Sequence, residues 1–217
     1  MNPQPISLLI CALGGEGGGV LTEWLVDVAR HAGYTMQATS IPGVAQRTGA
    51  TTYYVEICPL ADEVLSGLRP VFSLNPVPGA IDLLVSSELL ETVRQVGLGM
   101  ASAERTMVLS SSARALTVAE KMQMADGRLA AAALLAALQR HSRAHELFDM
   151  GALAREAGTV ISAVLQLNSV ENRLSALLGK VALEQRHKDG LTLGVRFAAD
   201  QGGSEMELEG THCGAVL

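Results

Sequence analysis

Apolar residues run almost unbroken over positions 6–13 (ISLLICAL) and then give way to five glycines in six residues, GGEGGG at 14–19. A strand without polar alternation is covered on both faces, which points to the interior of a parallel sheet. Beyond the glycines, residues 20–31 carry apolar side chains at helical spacing, and Gly33 ends the run. Strand, turn and helix therefore read as one βα unit. Residues 34–40 read as a second strand. The branched and aromatic stretch at 50–58 (ATTYYVEIC) reads as a third, after a loop bracketed by Pro42, Gly43 and Gly49.

Farther along, residues 59–79 alternate short apolar pieces with Pro and Gly, residues 80–85 (AIDLLV) form another buried strand, and a helix follows over 88–97. The pattern then repeats, with a strand at 105–110, an irregular connection over 111–127, an Ala-rich helix over 129–141, and a strand at 144–149 that closes the sheet before a short helix from Met150. The fold class expected is α/β, an open and mainly parallel Rossmann-like sheet with helices on both faces. The end of the chain differs in character. A polar helix over 169–187 precedes a strand at 191–198, suited to an antiparallel edge, and a Gly-rich tail from 201 expected to be loosely held. The organisation is thus a domain over 1–165 and a C-terminal segment over 166–217.

Composition narrows the function. The 217 residues are 48% apolar and 18% charged, with a net charge of −6 and no basic run, so the electrostatic footprint for nucleic acid or an anionic membrane surface is missing. The apolar start has no basic region before it and no segment is long enough to span a bilayer; a cytoplasmic location is the expectation. Cys11, Cys58 and Cys213 are too far apart for a disulfide framework or an iron–sulfur ligand set, and read as core thiols in the first two cases. His141 and His145 stand four apart without a third ligand, and no serine lies in a nucleophile motif. No catalytic residue and no metal ligand is assigned.

Two segments retain interest. The glycine turn, with Gly14, Gly15, Gly17 and Gly18, follows a buried strand and opens a helix, where free N–H groups can face an anion. It is neither the dinucleotide fingerprint nor a triphosphate loop, and no acid between Gly33 and Gly43 stands ready for a ribose. Glu16 would repel a phosphate unless it points away or pairs with a cation. The alternative is that the glycines simply permit a tight turn against a neighbour. The second segment is the loop at 42–49 (PGVAQRTG). In a parallel sheet it can share the carboxyl edge with the glycine turn, bringing Gln46, Arg47 and Thr48 across a crevice from it. Arg47 would clamp a phosphate or a partner's carboxylate, or else face solvent or pair with Glu16.

These two stretches, LLICALGGEGGGVLTEWLVDVARHAGY at 8–34 and SIPGVAQRTGATTYYVEI at 40–57, resemble the gamma-type domain of 2-oxoacid:acceptor oxidoreductases, above all the indolepyruvate oxidoreductase beta-subunit family. The resemblance runs from residue 6 to about 165. It implies a noncatalytic subunit of an enzyme that converts an aryl 2-oxoacid, coenzyme A and an oxidised acceptor to acyl-CoA, carbon dioxide and reduced acceptor. It implies too that thiamine diphosphate and iron–sulfur clusters belong to a partner subunit, that CoA is a substrate, that this chain binds no cofactor alone, and that it can pair with a second copy of itself within the complex. By the same resemblance the family's glycine turn corresponds to Gly14, Gly15, Gly17 and Gly18 and its loop to Gly43, Ala45, Gln46, Arg47 and Gly49; with Thr48 from the sheet-edge argument, the glycine turn and Gln46, Arg47 and Thr48 are the expected binding residues. A stand-alone CoA- or nucleotide-binding domain, or a structural partner without an enzymatic role, are the alternatives.

Overall fold

The computed structural model describes residues 4–41, 50–114, 122, 129–156, 170, 194–197 and 206–209. Its main body is a six-stranded sheet in the order β2-β3-β1-β4-β5-β6. Strand β1 (Ile6–Leu13) lies at the centre and is followed by helix α1 (Gly18–His31). Next come β2 (Tyr34–Ile41), β3 (Ala50–Ala61) and the single-turn α2 (Asp62–Leu65). The second half alternates β4 (Leu83–Ser86), α3 (Leu89–Gly97), β5 (Met107–Ser111), α4 (Ala131–His141), β6 (Ala144–Phe148) and α5 (Met150–Glu156).

Strands β1, β4, β5 and β6 pair in parallel, as all-apolar runs joined through helices should. Strand β3 runs against both of its neighbours, β1 and β2. The reason is the length of the connection: residues 42–49 are too few for the crossover that a parallel return needs, so β2 and β3 form a hairpin. The sheet is therefore mixed, with β3 the reversed strand.

Both faces are covered. On one, Leu21, Leu25 and Ala29 of α1 pack against Leu8 and Ile10 of β1, Val55 and Ile57 of β3, and Val85 of β4, with Val170 also buried there. On the other, Val96 of α3 and Leu138 of α4 cover Leu9, Cys11, Leu84 and Val108. Over β2 and β3 none of the described helices covers that second face. A strap over residues 68–78 lies across it, held where Ser73 N–H donates to Glu56 Oε2 (2.6 Å), Gln37 Nε2 donates to the Ser73 carbonyl (3.0 Å), and Thr39 Oγ1 donates to the Leu74 carbonyl (3.0 Å).

One expectation is corrected. The strand foreseen at 191–198 is not an edge of the main sheet: β7 (Gly194–Phe197) pairs antiparallel with β8 (Met206–Glu209) in a sheet of its own, Val195 opposite Leu208. Closing a short local loop costs less entropy than docking on a distant edge. Strand β8 also gives regular structure to part of the tail expected to be loose. The polar helix expected over 169–187 lies outside the described residues except for Val170, which is helical.

Candidate functional site

The carboxyl ends of β1, β2 and β4 converge on the glycine turn. Strand β1 ends at Leu13, whose antiparallel partner is Ala50, the first residue of β3, and Ile41 at the end of β2 stands opposite Thr52. The turn at 14–17 and both ends of the 42–49 loop therefore leave the sheet at one edge, as the sequence suggested. Gln46, Arg47 and Thr48 themselves lie outside the described residues.

Within the turn the glycines have different tasks. Gly15 and Gly17 adopt φ of 89° and 82°, the left-handed region in which a side chain is strained. Gly17 is also the N-cap of α1, and no side chain caps the helix there. Gly18 is needed for space: a Cβ would lie 2.5 Å from Ala12 Cβ and 3.0 Å from the Tyr53 ring. Gly14 faces open space. Backbone conformation thus accounts for Gly15 and Gly17 and packing for Gly18, while the space beside both Gly14 and Gly15 is open.

Glu16 turns back into the fold. Its Oε2 accepts from Leu13 N–H (3.1 Å) and from the Ser87 hydroxyl, while its own N–H donates to the Leu13 carbonyl (3.1 Å). Ser87 N–H in turn donates to the Cys11 carbonyl (3.0 Å), which ties the start of the β4–α3 connection to the end of β1. The carboxylate thus takes two donors that an anionic ligand at this edge would otherwise use. It pairs with no cation among the described residues. Helix α1 still contributes its N-terminal partial positive charge.

The neighbouring polar residues are structural. Glu88 caps α3 by accepting from Glu91 N–H (2.6 Å), and Thr92 and Ser110 share a hydrogen bond of 2.5 Å. Glu91 holds Arg94 through two contacts of 2.6 and 2.7 Å and accepts from Gln95 at 2.8 Å. Burial, then the Glu91 carboxylate, push the Cys11 thiol well above its ordinary pKa, so it is a poor nucleophile. Cys11 and Cys58 are both buried, as expected, and stand at opposite ends of the β1–β3 ladder. Among the described residues no three His, Cys, Asp or Glu side chains converge as metal ligands, so this donor set does not fit an iron–sulfur cluster.

At the opposite, amino edge, Asp82 joins three strand starts. It accepts from Ser7 N–H (2.9 Å) and receives two bonds of 2.7 Å from Arg105. Burial, the largest single influence, pushes its pKa up, but the bonds from Arg105 and Ser7 outweigh it and hold the carboxyl below its usual range. Nearby, the Tyr54 hydroxyl donates to Glu56 Oε1 (2.5 Å), and burial followed by that bond raises the phenol pKa. Sequence reasoning did not find Tyr53 or Ser87 at the glycine turn, or the bonds of Ser7 and Arg105 to Asp82. Ser7 and Asp82 are 75 residues apart and Glu16 and Ser87 are 71 apart, and contacts at such separations leave no local signal.

An open α/β sheet with a glycine turn at its carboxyl edge is thus the architecture, and the sequence assigns it further. The model of the pyruvate ferredoxin/flavodoxin oxidoreductase family matches residues 7–186. The chain belongs to that family. No curated protein shows significant similarity. Among solved structures, the pyruvate oxidoreductase subunit PORC of Thermotoga maritima is 15% identical with a TM-score of 0.49, over 86% of this chain and 85% of that one. The 2-oxoglutarate:ferredoxin oxidoreductase of Magnetococcus marinus, solved with 2-oxoglutarate, coenzyme A and succinyl-CoA, is 13% identical with a TM-score of 0.49, over 83% of this chain and 28% of that one. The keto/oxoacid ferredoxin oxidoreductase gamma subunit of Geobacter sulfurreducens is 14% identical with a TM-score of 0.45, over 83% and 82%. No described helix is long and apolar enough to cross a membrane.

Proposed function

We propose that the chain is a noncatalytic subunit of a cytoplasmic 2-oxoacid oxidoreductase that forms acyl-CoA, carbon dioxide and reduced acceptor, with aryl 2-oxoacids of the indolepyruvate type as substrates. The observation that carries this reading is the family match over residues 7–186. On this reading thiamine diphosphate and iron–sulfur clusters belong to the partner subunit, a reading supported by the burial and separation of Cys11 and Cys58. The carboxyl edge is the face turned toward that partner and toward CoA. There the glycine turn and the Gln46, Arg47 and Thr48 loop leave the sheet side by side. Glu16 speaks against the turn holding a phosphate unaided, and so against a stand-alone nucleotide-binding domain.

The test is co-expression with the thiamine-containing subunit, followed by cofactor analysis and assay of 2-oxoacid- and CoA-dependent acceptor reduction. Turnover is expected from the complex and not from the chain alone; acceptor reduction by the pure chain would overturn the assignment. Arg47→Ala then tests the edge. If Arg47 makes a charge-assisted contact buried on binding, its loss costs about 2–5 kcal/mol in partner or CoA affinity. Unchanged affinity in both titrations, with full turnover, would remove Arg47 from the site.

A further inference from the structure

The strap over residues 68–78 shields a buried carboxylate while burying little of itself. Glu56, on the face of β3 that the strap crosses, is only 8% exposed, and Ser73 N–H sits on one of its oxygens. Yet no residue from Ser66 to Gly79 is buried; Pro70, Phe72, Ser73 and Pro76 are partly so, and the others are exposed. None of them belongs to either core cluster. A segment that contributes so little buried apolar surface lies at the low end of local stability and can lift while the core stays folded.

Its attachment has the form of two hinges and a latch. Ser66 and Gly67 adopt φ of 48° and 85° at one end, and Gly79 adopts 72° at the other. Leu68 N–H donates to the Leu65 carbonyl (2.8 Å) and Gly79 N–H to the Gly99 carbonyl (2.8 Å), so both ends are tied outside the strap. Between them Pro70, Pro76 and Pro78 lock φ and have no N–H to bond, which stiffens the stretch. Among the described residues three hydrogen bonds join the middle to the sheet, and all three end on strap main-chain atoms: Ser73 N–H, the Ser73 carbonyl and the Leu74 carbonyl. The bond to Glu56 is the shortest, at 2.6 Å against 3.0 Å for the other two, and it alone is charge-assisted. The second Glu56 oxygen accepts from the Tyr54 hydroxyl (2.5 Å). When Ser73 leaves, Glu56 keeps that donor and water reaches the vacated oxygen, so opening strands no charge in a dry site.

We propose that residues 66–79 form a lid that swings on Ser66–Gly67 and Gly79, is latched on the Glu56 carboxylate, and opens as one unit while the sheet beneath stays folded. The proposal is independent of the oxidoreductase reading. Closed and open states differ by one charge-assisted bond and two neutral ones, with no core side chain of the strap to repack, which is the form of a hinged two-state element. Because the latch reads main chain only, it is indifferent to the strap side chains and depends on Glu56, Gln37 and Thr39. Opening turns these three to solvent together, an acceptor and two donors that the main chain of the strap occupies in the closed state.

The experiment follows two rates on the folded full chain: amide exchange at Ser73, and chymotryptic cleavage after Phe72 and Leu74, located by mass spectrometry. In the wild type both are expected to proceed without urea, and Ser73 to exchange well before the amides of Leu8, Leu9 and Ile10 in β1. Glu56→Ala removes the latch. Gln37→Ala with Thr39→Ala removes two partly exposed donors and leaves the buried carboxylate in place, so this pair decides the matter if Glu56→Ala does not fold. Exchange and cleavage are expected to rise together, at least threefold in the donor pair and at least tenfold in Glu56→Ala, with far-ultraviolet circular dichroism unchanged. Three results would each overturn the proposal: Ser73 exchanging only in step with β1, rates in the donor pair equal to those of the wild type, or exchange at Ser73 that accelerates without cleavage, which is the fraying of one bond and not the opening of a lid.

Discussion

Replacing Gly18 by Ala separates two readings of the glycine turn: a cradle for a ligand, or a packing requirement of the fold. The added Cβ would stand 2.5 Å from Ala12 Cβ, and 3.0 Å from an edge atom of the Tyr53 ring. Carbon atoms in contact prefer about 3.5–4.0 Å, so the first turn of α1 must retreat from β1 by about 1 Å or more. The Tyr53 ring can rotate away; Ala12 cannot, because its Cβ is fixed to the central strand. Overpacking of this kind costs about 1–3 kcal/mol. Against it stands the reduced freedom of the unfolded chain with Ala, about 0.4–1 kcal/mol. The net expectation is a loss of about 1–2 kcal/mol, or roughly 2–8 °C in Tm for a chain of this size. Gly14→Ala is the control. With open space around it and no left-handed φ, its change should stay within about 0.5 kcal/mol. Urea and thermal melts of both full-length variants, followed by far-ultraviolet circular dichroism, make the comparison. If Gly18→Ala were as stable as Gly14→Ala, the helix would not need its close approach to β1 and the packing argument would fail.

Three further outcomes follow from the polar contacts. Asp82→Asn should cost about 1–3 kcal/mol in urea melts by leaving Arg105 without its carboxylate. Because the folded pKa of Asp82 is depressed, its stabilisation is present above the unfolded carboxylate pKa and is lost as pH falls through the folded value. The acid limb of the wild-type stability profile should therefore flatten in the variant, and an unchanged limb would refute the linkage. Tyr54→Phe removes a donor from the buried Glu56 carboxylate, with an expected cost of about 1–2 kcal/mol and faster amide exchange at Ser73, which donates to the other Glu56 oxygen. Glu16→Ala frees the Ser87 hydroxyl as a donor and removes a negative charge at an uncapped helix start, so pyrophosphate should bind this variant more tightly than the wild type in calorimetric titration; equal affinities would show that Glu16 does not guard the turn.

The main strands and helices were legible because each strand is an apolar run and each helix follows it at a spacing that admits a crossover. The reversal of β3 was legible in principle from the eight-residue span of the 42–49 connection, though its aromatic and branched content alone gave no direction. The strap was not legible. Its Pro and Gly residues erase both the two-residue and the helical period, and its place over β2 and β3 appears only once Ser73 is known to be anchored to Glu56 and Gln37. The role of Glu16 was half legible: its conflict with an anion could be foreseen, but its bond to Ser87 depends on β4 lying parallel beside β1.

That parallel arrangement divides the molecule's work between the two ends of its strands. At the amino edge, Ser7, Asp82 and Arg105 stand at or just before the starts of β1, β4 and β5, and their bonds cross between strands that sequence separates widely. These contacts hold the strand starts together. At the carboxyl edge the pattern is different: the strand ends are joined by Glu16 and Ser87, α1 begins without a side-chain cap, and the 42–49 loop departs next to them. Charge changes at the amino edge should therefore appear in melts and in pH profiles of stability, and leave binding alone. Those at the carboxyl edge should appear in titrations, where Glu16 and Arg47 are expected to act with opposite sign on an anionic ligand. Removing the carboxylate helps such a ligand, and removing the guanidinium hurts it.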